Sequence, residues 1–196
     1  MSAGAGSAPI VGILLAGGSA SRFGSDKLLH PLAEGTPIAV ASARNLIAAV
    51  PRVVAVVRPG APDLERALRA AGAEVTVCGR AAEGMGVTLA HAVRAAGDAG
   101  GWVVALADMP FIRPETIRRV VAAVAGGAAI AAPEFRGERG HPVGFARRFR
   151  SALEQLAGDA GARDIVKADP AALARVAVDD PGVVRDIDTP ADLARG

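Results

Sequence analysis

The decisive stretch of this chain is IVGILLAGGSASRFGSDK, residues 10–27. It opens with the apolar run Ile10 to Leu15 and then reaches a pair of glycines, which predicts a buried strand that leads into a tight loop. The loop carries hydroxyls, free backbone N–H groups and the cations Arg22 and Lys27. Because glycine lets the backbone come close to a ligand and successive N–H groups bind anions, this combination is typical of a polyphosphate site.

Spacing excludes two common phosphate loops. A P-loop has four residues between its glycines and ends in Gly-Lys-Ser/Thr, whereas Gly18 and Gly24 enclose five residues and Gly24 precedes Ser-Asp-Lys. The dinucleotide fingerprint G-x-G-x-x-G is also missing, because Gly17 and Gly18 are adjacent. The loop therefore belongs to another class of phosphate site.

Strands and helices are predicted to alternate up to about residue 133. Apolar runs predict strands at 52–57, 74–78, 102–107 and 128–132. Helical spacing or Pro and Gly boundary signals predict helices at 37–50, 62–71, 86–96 and 114–125. This alternation implies parallel crossovers and hence a three-layer α/β/α sandwich with a mostly parallel sheet. Later segments are expected to add a helix at 149–156 and short strands at 141–145, 175–178 and 184–187, the last two antiparallel at one edge.

Composition narrows the class of protein. The 196 residues suit one domain, residues 10–196, after a disordered tail at 1–9. A net charge of +2 without a basic block excludes a general nucleic-acid partner. The lone cysteine, Cys78, excludes an internal disulfide, and no apolar run approaches the ~18 residues of a membrane span. A cytoplasmic protein without a membrane partner is expected.

Two acidic segments are candidates for chemistry. Asp108 follows the strand at 102–107, so it should lie at the same carboxyl edge of the sheet as the glycine loop. Asp186 and Asp188 alternate with Ile187 and would share one face of a strand. Asp188 also precedes Thr-Pro and a short helix, so the residues alone support helix capping and catalysis equally.

Residues 15–27 match the pattern L-A-[AG]-G-x-S-x-R-[MF]-G-x-D-K and thereby resemble the MobA-like nucleotidyltransferases. Residues 84–89 and 186–193 resemble the family's G-M-x-x-[ST]-L and D-[IV]-D-T-P-x-D-L. The resemblance implies a Rossmann-like nucleotidyltransferase fold with a nucleotide-binding part at 10–133. It implies nucleotide contacts from Leu15, Ala16, Gly17, Gly18, Ser19, Arg22, Lys27, Gly86, Thr88 and Asp108. It implies catalytic roles for Arg22, Lys27, Asp108 and Asp188, with Mg²⁺ held by the last two.

Two further segments, 139–145 and 158–163, resemble [RG]-G-H-P-V-x-F and G-D-x-G-A-R, found mainly in the molybdenum cofactor cytidylyltransferase branch. The resemblance then implies that residues 134–196 bind the acceptor, with His141, Asp159 and Arg163 as contacts whose individual roles stay open. The implied reaction transfers CMP from CTP to the phosphate of a molybdopterin-type cofactor and releases pyrophosphate. It would also allow a transient contact with a molybdoenzyme or its chaperone.

One position conflicts with the cytidylyl branch. That branch usually has Leu-Ala-Ala-Gly in the first loop, whereas Gly17 gives Leu-Ala-Gly-Gly, the form of the guanylyl branch. Glycine leaves room that could admit a purine, so GTP is the alternative nucleotide. Nucleotidyl transfer to a sugar or alditol phosphate also stays open, as does a non-catalytic carrier of nucleotide or cofactor.

Overall fold

The computed structural model describes residues 8–18, 27–159 and 161–193, and within them a sheet lies between two layers of helices. The strands are β1 (Ile10–Ala16), β2 (Val53–Val57), β3 (Glu74–Val77), β4 (Gly101–Leu106), β5 (Ile130–Phe135), β6 (Glu138–Arg139), β7 (Val143–Ala146) and β8 (Leu173–Ala177). The helices are α1 (Ile38–Ile47), α2 (Pro62–Ala70), α3 (Met85–Ala96), α4 (Pro114–Ala125), α5 (Arg150–Glu154), α6 (Arg163–Ala168) and α7 (Pro190–Leu193).

Strand β1 lies in the interior of the sheet, parallel to both β2 and β4. The strand order is β3-β2-β1-β4-β7-β5-β6, and β8 pairs with β5 in parallel. Every residue of β2 is buried, as expected for a strand covered on both faces. Since β1, β2, β3 and β4 are mutually parallel and helices cover both faces, the predicted mostly parallel three-layer α/β fold is confirmed.

Each face of the sheet has its own apolar core. On one face α1, α2 and α4 pack their apolar sides, represented by Leu46, Leu68 and Ile117. On the other face α3, α5 and α6 do so, represented by Leu89 and Leu153. Small residues bring helix and sheet close together: a Cβ on Gly12 would lie 2.8 Å from Cγ2 of Val50, three residues beyond the end of α1.

The late part of the chain differs from the prediction in two ways. Strand β8 is parallel to its neighbour β5, and the antiparallel strands are β6, at the edge of the sheet, and β7, which lies inside the sheet between β4 and β5. The strand predicted at 184–187 is wrong. Val184 instead closes the 3-10 turn Pro181–Val184. The buried Asp180 carboxylate accepts a hydrogen bond from Gly182 N–H at 3.1 Å and thereby bends the backbone before the predicted strand.

Residues 1–7 of the expected N-terminal tail lie outside the described residues. Pro9 accepts a hydrogen bond from Gly100 N–H at 3.0 Å, which ties the entry of β1 to that of β4. Strand β5 crosses position 133, so the two parts proposed for the domain share one sheet. In the part of the chain that the structure describes, no helix combines the length and the apolar character needed to cross a membrane.

Candidate active site

The carboxyl ends of β1 and β4 are neighbours, and a cavity of about 620 Å³ opens beside them. Seven of the expected nucleotide-binding residues line it, namely Leu15, Ala16, Gly17, Gly18, Lys27, Thr88 and Asp108. Ser19 and Arg22 lie outside the described residues. Gly86 does not line the cavity: its N–H donates to Gly158 O at 2.7 Å, so this glycine serves the packing of α3 against the loop at 157–158.

Lys27 joins the two carboxylates that the sequence singles out. Its Nζ donates to Asp108 Oδ2 at 3.0 Å and to Asp188 Oδ1 at 3.2 Å, across 81 and 161 residues of chain. The lysine side chain is 10% exposed. Burial alone would lower the pKa of Lys27, but the charge and hydrogen bond of Asp108, together with those of Asp188, raise it above its ordinary value. Two carboxylates therefore converge on one permanent cation.

Helix α1 holds the turn that presents Asp108. Ser42 Oγ donates to Ala107 O at 2.9 Å, and Asn45 Nδ2 donates to Pro110 O at 2.8 Å. Both acceptors are backbone carbonyls next to or near Asp108, so two side chains of one helix fix the backbone on either side of the carboxylate. No pattern in the sequence indicates this support, because neither residue belongs to a recognised motif.

Asp188 reaches Lys27 because another residue caps the last helix. Ile187 N–H donates to Asp108 O at 2.9 Å, which fastens this segment to the end of β4. Asp192 Oδ2 accepts hydrogen bonds from the N–H and the hydroxyl of Thr189, both at 2.8 Å. This is the geometry in which a side chain of the first helical turn caps the backbone before it. The Asp188 carboxylate thus pairs with Lys27, and the Asp192 carboxylate accepts the hydrogen bonds at the start of α7.

A second cavity, of about 540 Å³, adjoins the first. The two share the lining residues Leu15, Met85, Leu106 and Asp159. The second cavity contains all three expected acceptor contacts, His141, Asp159 and Arg163, together with Arg139 and Asp186. The structure thus brings Gly17 and Gly18, Asp108 and the downstream motifs to two adjoining cavities.

Two titratable groups of the second cavity are perturbed. Burial lowers the pKa of His141 to about 4, with Arg139 and Arg163 acting in the same direction and Asp108 against it. Partial burial raises the pKa of Asp186; the carboxylates of Asp188 and Asp108 add to this, and a backbone hydrogen bond and Lys27 oppose it. At neutral pH the His141 imidazole is therefore uncharged.

Arg58 is a lining residue of the first cavity that sequence reasoning missed. Arg58 is the first residue after β2, and Asp108 is the second residue after β4. The two side chains therefore follow their strands at nearly the same position. The rule that located Asp108, a charged residue after a buried strand, could have found it. Asp186 was noticed for its spacing alone, and only the fold places it in a cavity.

A sheet of this order, with its charged groups gathered at the carboxyl edge beside two adjoining cavities, is the architecture of a nucleotidyltransferase. Sequence comparison defines the family: the model described as MobA-like NTP transferase domain matches residues 12–176, and the chain belongs to this family. The chain is therefore a nucleotidyltransferase that acts on a nucleoside triphosphate.

Known proteins with similar sequences include PucB, a purine catabolism protein of Bacillus subtilis, which is 30% identical over 92% of this chain and 92% of its own length. The bifunctional protein GlmU of Dinoroseobacter shibae is 40% identical over 122 residues, which cover 59% of this chain and 27% of that protein. The chain thus spans only about a quarter to a third of the GlmU proteins it matches.

The crystal structure of Rv0371c from Mycobacterium tuberculosis H37Rv superposes with a TM-score of 0.82, at 26% identity, over 96% of this chain and 97% of that one. A second crystal structure of Rv0371c, in complex with manganese, superposes with a TM-score of 0.78, at 26% identity, over 95% and 97%.

Proposed function

We propose that this enzyme transfers CMP from CTP to the terminal phosphate of a molybdopterin-type cofactor, with Mg²⁺ as the cofactor and pyrophosphate as the second product. The supporting observation is the meeting of two cavities beside one cluster of charges. The first is lined by Gly17, Gly18, Lys27 and Asp108, and the second is lined by residues of the motifs that resemble the molybdenum cofactor cytidylyltransferases. A transfer between two bound substrates needs such an arrangement, because the reacting phosphates must meet at a shared boundary.

The donor set suits a hard divalent cation. Asp108 and Asp188 converge on the Lys27 ammonium at 3.0 and 3.2 Å, so the fold already brings two carboxylates to one cationic position. Mg²⁺ prefers one or two carboxylates and completes its shell with phosphate oxygens and water. Bound there, it would neutralise charge on the phosphates. The crystal structure of Rv0371c, a protein of the same fold, in complex with manganese supports the binding of a divalent metal.

In the proposed reaction a terminal phosphate oxygen of the acceptor bonds to the α-phosphorus of CTP. The bond from the α-phosphorus to the oxygen that bridges to the β-phosphorus breaks, and the electron pair leaves with pyrophosphate. Since the attacking phosphate is already ionised, no residue has to remove a proton. The protein has to position the phosphates and neutralise their charge. Lys27 and Arg58 supply positive charge in the first cavity, and the sequence motif assigns the same role to Arg22.

The geometry around Gly17 gives a reason for the glycine that does not involve the nucleobase. A Cβ at Gly17 would lie 3.0 Å from Thr88 Cγ2 and 3.6 Å from Ala81 Cβ. Thr88 thus borders the space that the glycine leaves, and its own hydroxyl donates to Gly84 O at 3.1 Å. The glycine accommodates Thr88, and the steric argument for a purine at this point loses its force. The Leu-Ala-Gly-Gly form of the loop keeps guanylyl transfer as the second candidate.

Pyrophosphate release tests the proposal, measured with molybdopterin or its molybdenum form, Mg²⁺, and CTP or GTP in parallel. We expect release with CTP and little with GTP. Preference for GTP would establish guanylyl transfer instead. Protein that binds nucleotide but releases pyrophosphate with neither would contradict the acceptor, and sugar and alditol phosphates would be tried next. The matched control is Asp63→Asn, which removes a surface carboxylate paired with Arg66 at 2.9 Å and should leave release unchanged.

A further inference from the structure

Asp180 is a buried carboxylate that the proposed reaction does not use. The residue is 2% exposed and lies at the N-terminal end of α4, where the helix dipole favours a negative charge. Its Oδ2 accepts hydrogen bonds from Arg113 N–H at 2.9 Å and from the Thr116 hydroxyl at 2.6 Å. Its Oδ1 accepts one from Gly182 N–H at 3.1 Å. One oxygen therefore bonds α4, and the other bonds the turn that begins the segment 180–188.

The segment 180–188 also contacts the turn that presents Asp108. A Cβ on Gly182 would overlap Phe111 O, so the two backbones lie in close contact at this point. Farther along the segment, Ile187 N–H donates to Asp108 O at 2.9 Å. The segment is therefore attached near its beginning to α4 and near its end to the residue that directly follows the loop after β4.

We infer that Asp180 is a positioning residue of the metal site, because it fastens the segment 180–188 to α4 and thereby places the Asp188 carboxylate beside that of Asp108. This inference rests on the proposed function, in which Asp108 and Asp188 hold Mg²⁺. Lys27 bridges the two carboxylates at 3.0 and 3.2 Å, so the fold already sets their separation. Mg²⁺ demands near-ideal coordination geometry, and its affinity therefore depends on where the fold places each carboxylate.

A second aspartate in the same local setting shows what the turn itself requires. Asp169 also precedes a proline and begins a 3-10 turn, Pro170–Ala172, and its carboxylate accepts a hydrogen bond from Ala172 N–H at 3.1 Å. Asp169 is exposed, and this bond stays within its own turn. Such a turn therefore forms without burial of its aspartate and without a bond to a distant helix. The two bonds from α4 to Asp180 are explained by the need to hold the segment that carries Asp188.

The test compares nucleotide affinity with and without metal, measured by calorimetry of the full chain with CTP and, in parallel, with GTP. The quantity compared is the ratio of the affinity in Mg²⁺ to the affinity in EDTA. Asp180→Asn should lower this ratio about 3- to 10-fold, because an amide accepts hydrogen bonds on one side only and the segment loses an attachment. A variant that merely loosens the fold would weaken both affinities and leave the ratio unchanged. The matched control is Asp169→Asn, which should keep the wild-type ratio.

A double-mutant cycle determines whether Asp180 acts through Asp188. Asp188→Asn should itself lower the ratio, because it removes a carboxylate from the metal site. If Asp180 places that carboxylate, then Asp180→Asn should cause little further loss in the Asp188→Asn background, and the two effects should not add. Thermal melts of all variants measure the stability lost. If Asp180→Asn is poorly folded, Thr116→Val removes the bond at 2.6 Å, keeps the one to Gly182 and should lower the ratio in the same direction.

The outcomes separate this inference from the proposed function. A wild-type ratio in folded Asp180→Asn would overturn the positioning role and leave the proposed function standing. Equal losses from Asp180→Asn in the wild-type and Asp188→Asn backgrounds would also overturn it, because the effect would not pass through Asp188. A wild-type protein whose nucleotide affinity does not rise with Mg²⁺ would contradict the metal site of the proposed function, and this inference with it.

Discussion

The two cavities differ in how their polar groups are satisfied. At the first cavity, Lys27 pairs with Asp108 at 3.0 Å and with Asp188 at 3.2 Å, although the three residues come from distant parts of the chain. On the acceptor side, His141 Nδ1 is buried without a partner. In a site that binds phosphates and a metal, the lysine and the carboxylates can neutralise each other until the ligands bind.

The largest expected effect tests the charged side. Asp108→Asn should lower kcat for pyrophosphate release about 10²- to 10³-fold, because it removes a charge that acts on the reacting phosphates through the metal site. The fold should persist, since Ser42 and Asn45 hold the backbone around residue 108 and not the carboxylate. Steady-state kinetics and a thermal melt measure the two effects. Wild-type turnover in this variant would remove Asp108 from the proposed mechanism.

The second prediction concerns acid stability on the acceptor side. The folded-state pKa of His141 is about 4, below the ordinary 6.5. Between these two pH values the unfolded chain binds a proton at His141 that the folded chain does not bind. The stability that this difference contributes is complete above pH 6.5 and is lost as the pH falls towards 4. The loss amounts to about 3 kcal/mol at about 1.4 kcal/mol per pKa unit.

The variant His141→Asn has no titratable group at this position, so its stability does not fall for this reason as the pH is lowered. The wild type and the variant can therefore be compared directly. The free energy of unfolding of the wild type, measured by denaturant titration between pH 7 and pH 4, should fall by about 3 kcal/mol more than that of the variant. The groups that act on the imidazole, Asp108, Arg139 and Arg163, are present in both proteins and cancel in the comparison. Parallel pH profiles would mean that the folded protein does not bury the His141 imidazole.

Sequence reasoning worked best where one element determines the result. The alternation of apolar runs and helical patterns up to residue 133 predicted the parallel core, and a charged residue after β4 located Asp108. It failed where distant segments meet. The turn at 181–184 depends on Asp180, whose carboxylate also accepts from Thr116 at 2.6 Å and Arg113 N–H at 2.9 Å. Neither those partners nor the support of Asp108 by Ser42 can be recognised before the fold is known.

The third prediction separates the two duties of Lys27. In Lys27→Met the carboxylates of Asp108 and Asp188 lose their ammonium partner, so Mn²⁺ alone should bind several-fold more tightly than in the wild type, because it no longer competes with a fixed cation. Mn²⁺ with CTP should bind more weakly, because the triphosphate loses a cation. Electron paramagnetic resonance measures free Mn²⁺ in both cases.

The chain offers a matched control for this comparison, because Lys167 is its other lysine and lies exposed in α6. Lys167→Met should leave both affinities unchanged. Changes of the same sign for Mn²⁺ and for Mn²⁺ with CTP in Lys27→Met would contradict the proposal that Lys27 both pairs with the carboxylates and neutralises the triphosphate.

The smallest expected effect concerns the contact between Gly17 and Thr88. Gly17→Ala adds a Cβ 3.0 Å from Thr88 Cγ2, which is tighter than ordinary van der Waals contact, and we expect CTP affinity to fall about 3- to 10-fold as the loop shifts. Thr88→Ser removes that methyl group and keeps the hydroxyl that donates to Gly84 O. The double variant should therefore recover most of the affinity, and the two single effects should not add.

Calorimetry with CTP and GTP on all four proteins completes this cycle, and the nucleotide preference sharpens it. If position 17 is glycine to leave room for the Thr88 methyl group, the double variant Gly17→Ala with Thr88→Ser should keep the wild-type preference between CTP and GTP. The double variant adds a methyl group at position 17 and removes the one at position 88, so the contact stays filled. A switch of preference between CTP and GTP in the double variant would mean that the nucleobase itself lies against position 17. The first loop would then select the nucleotide, and the acceptor motifs would carry no information about it.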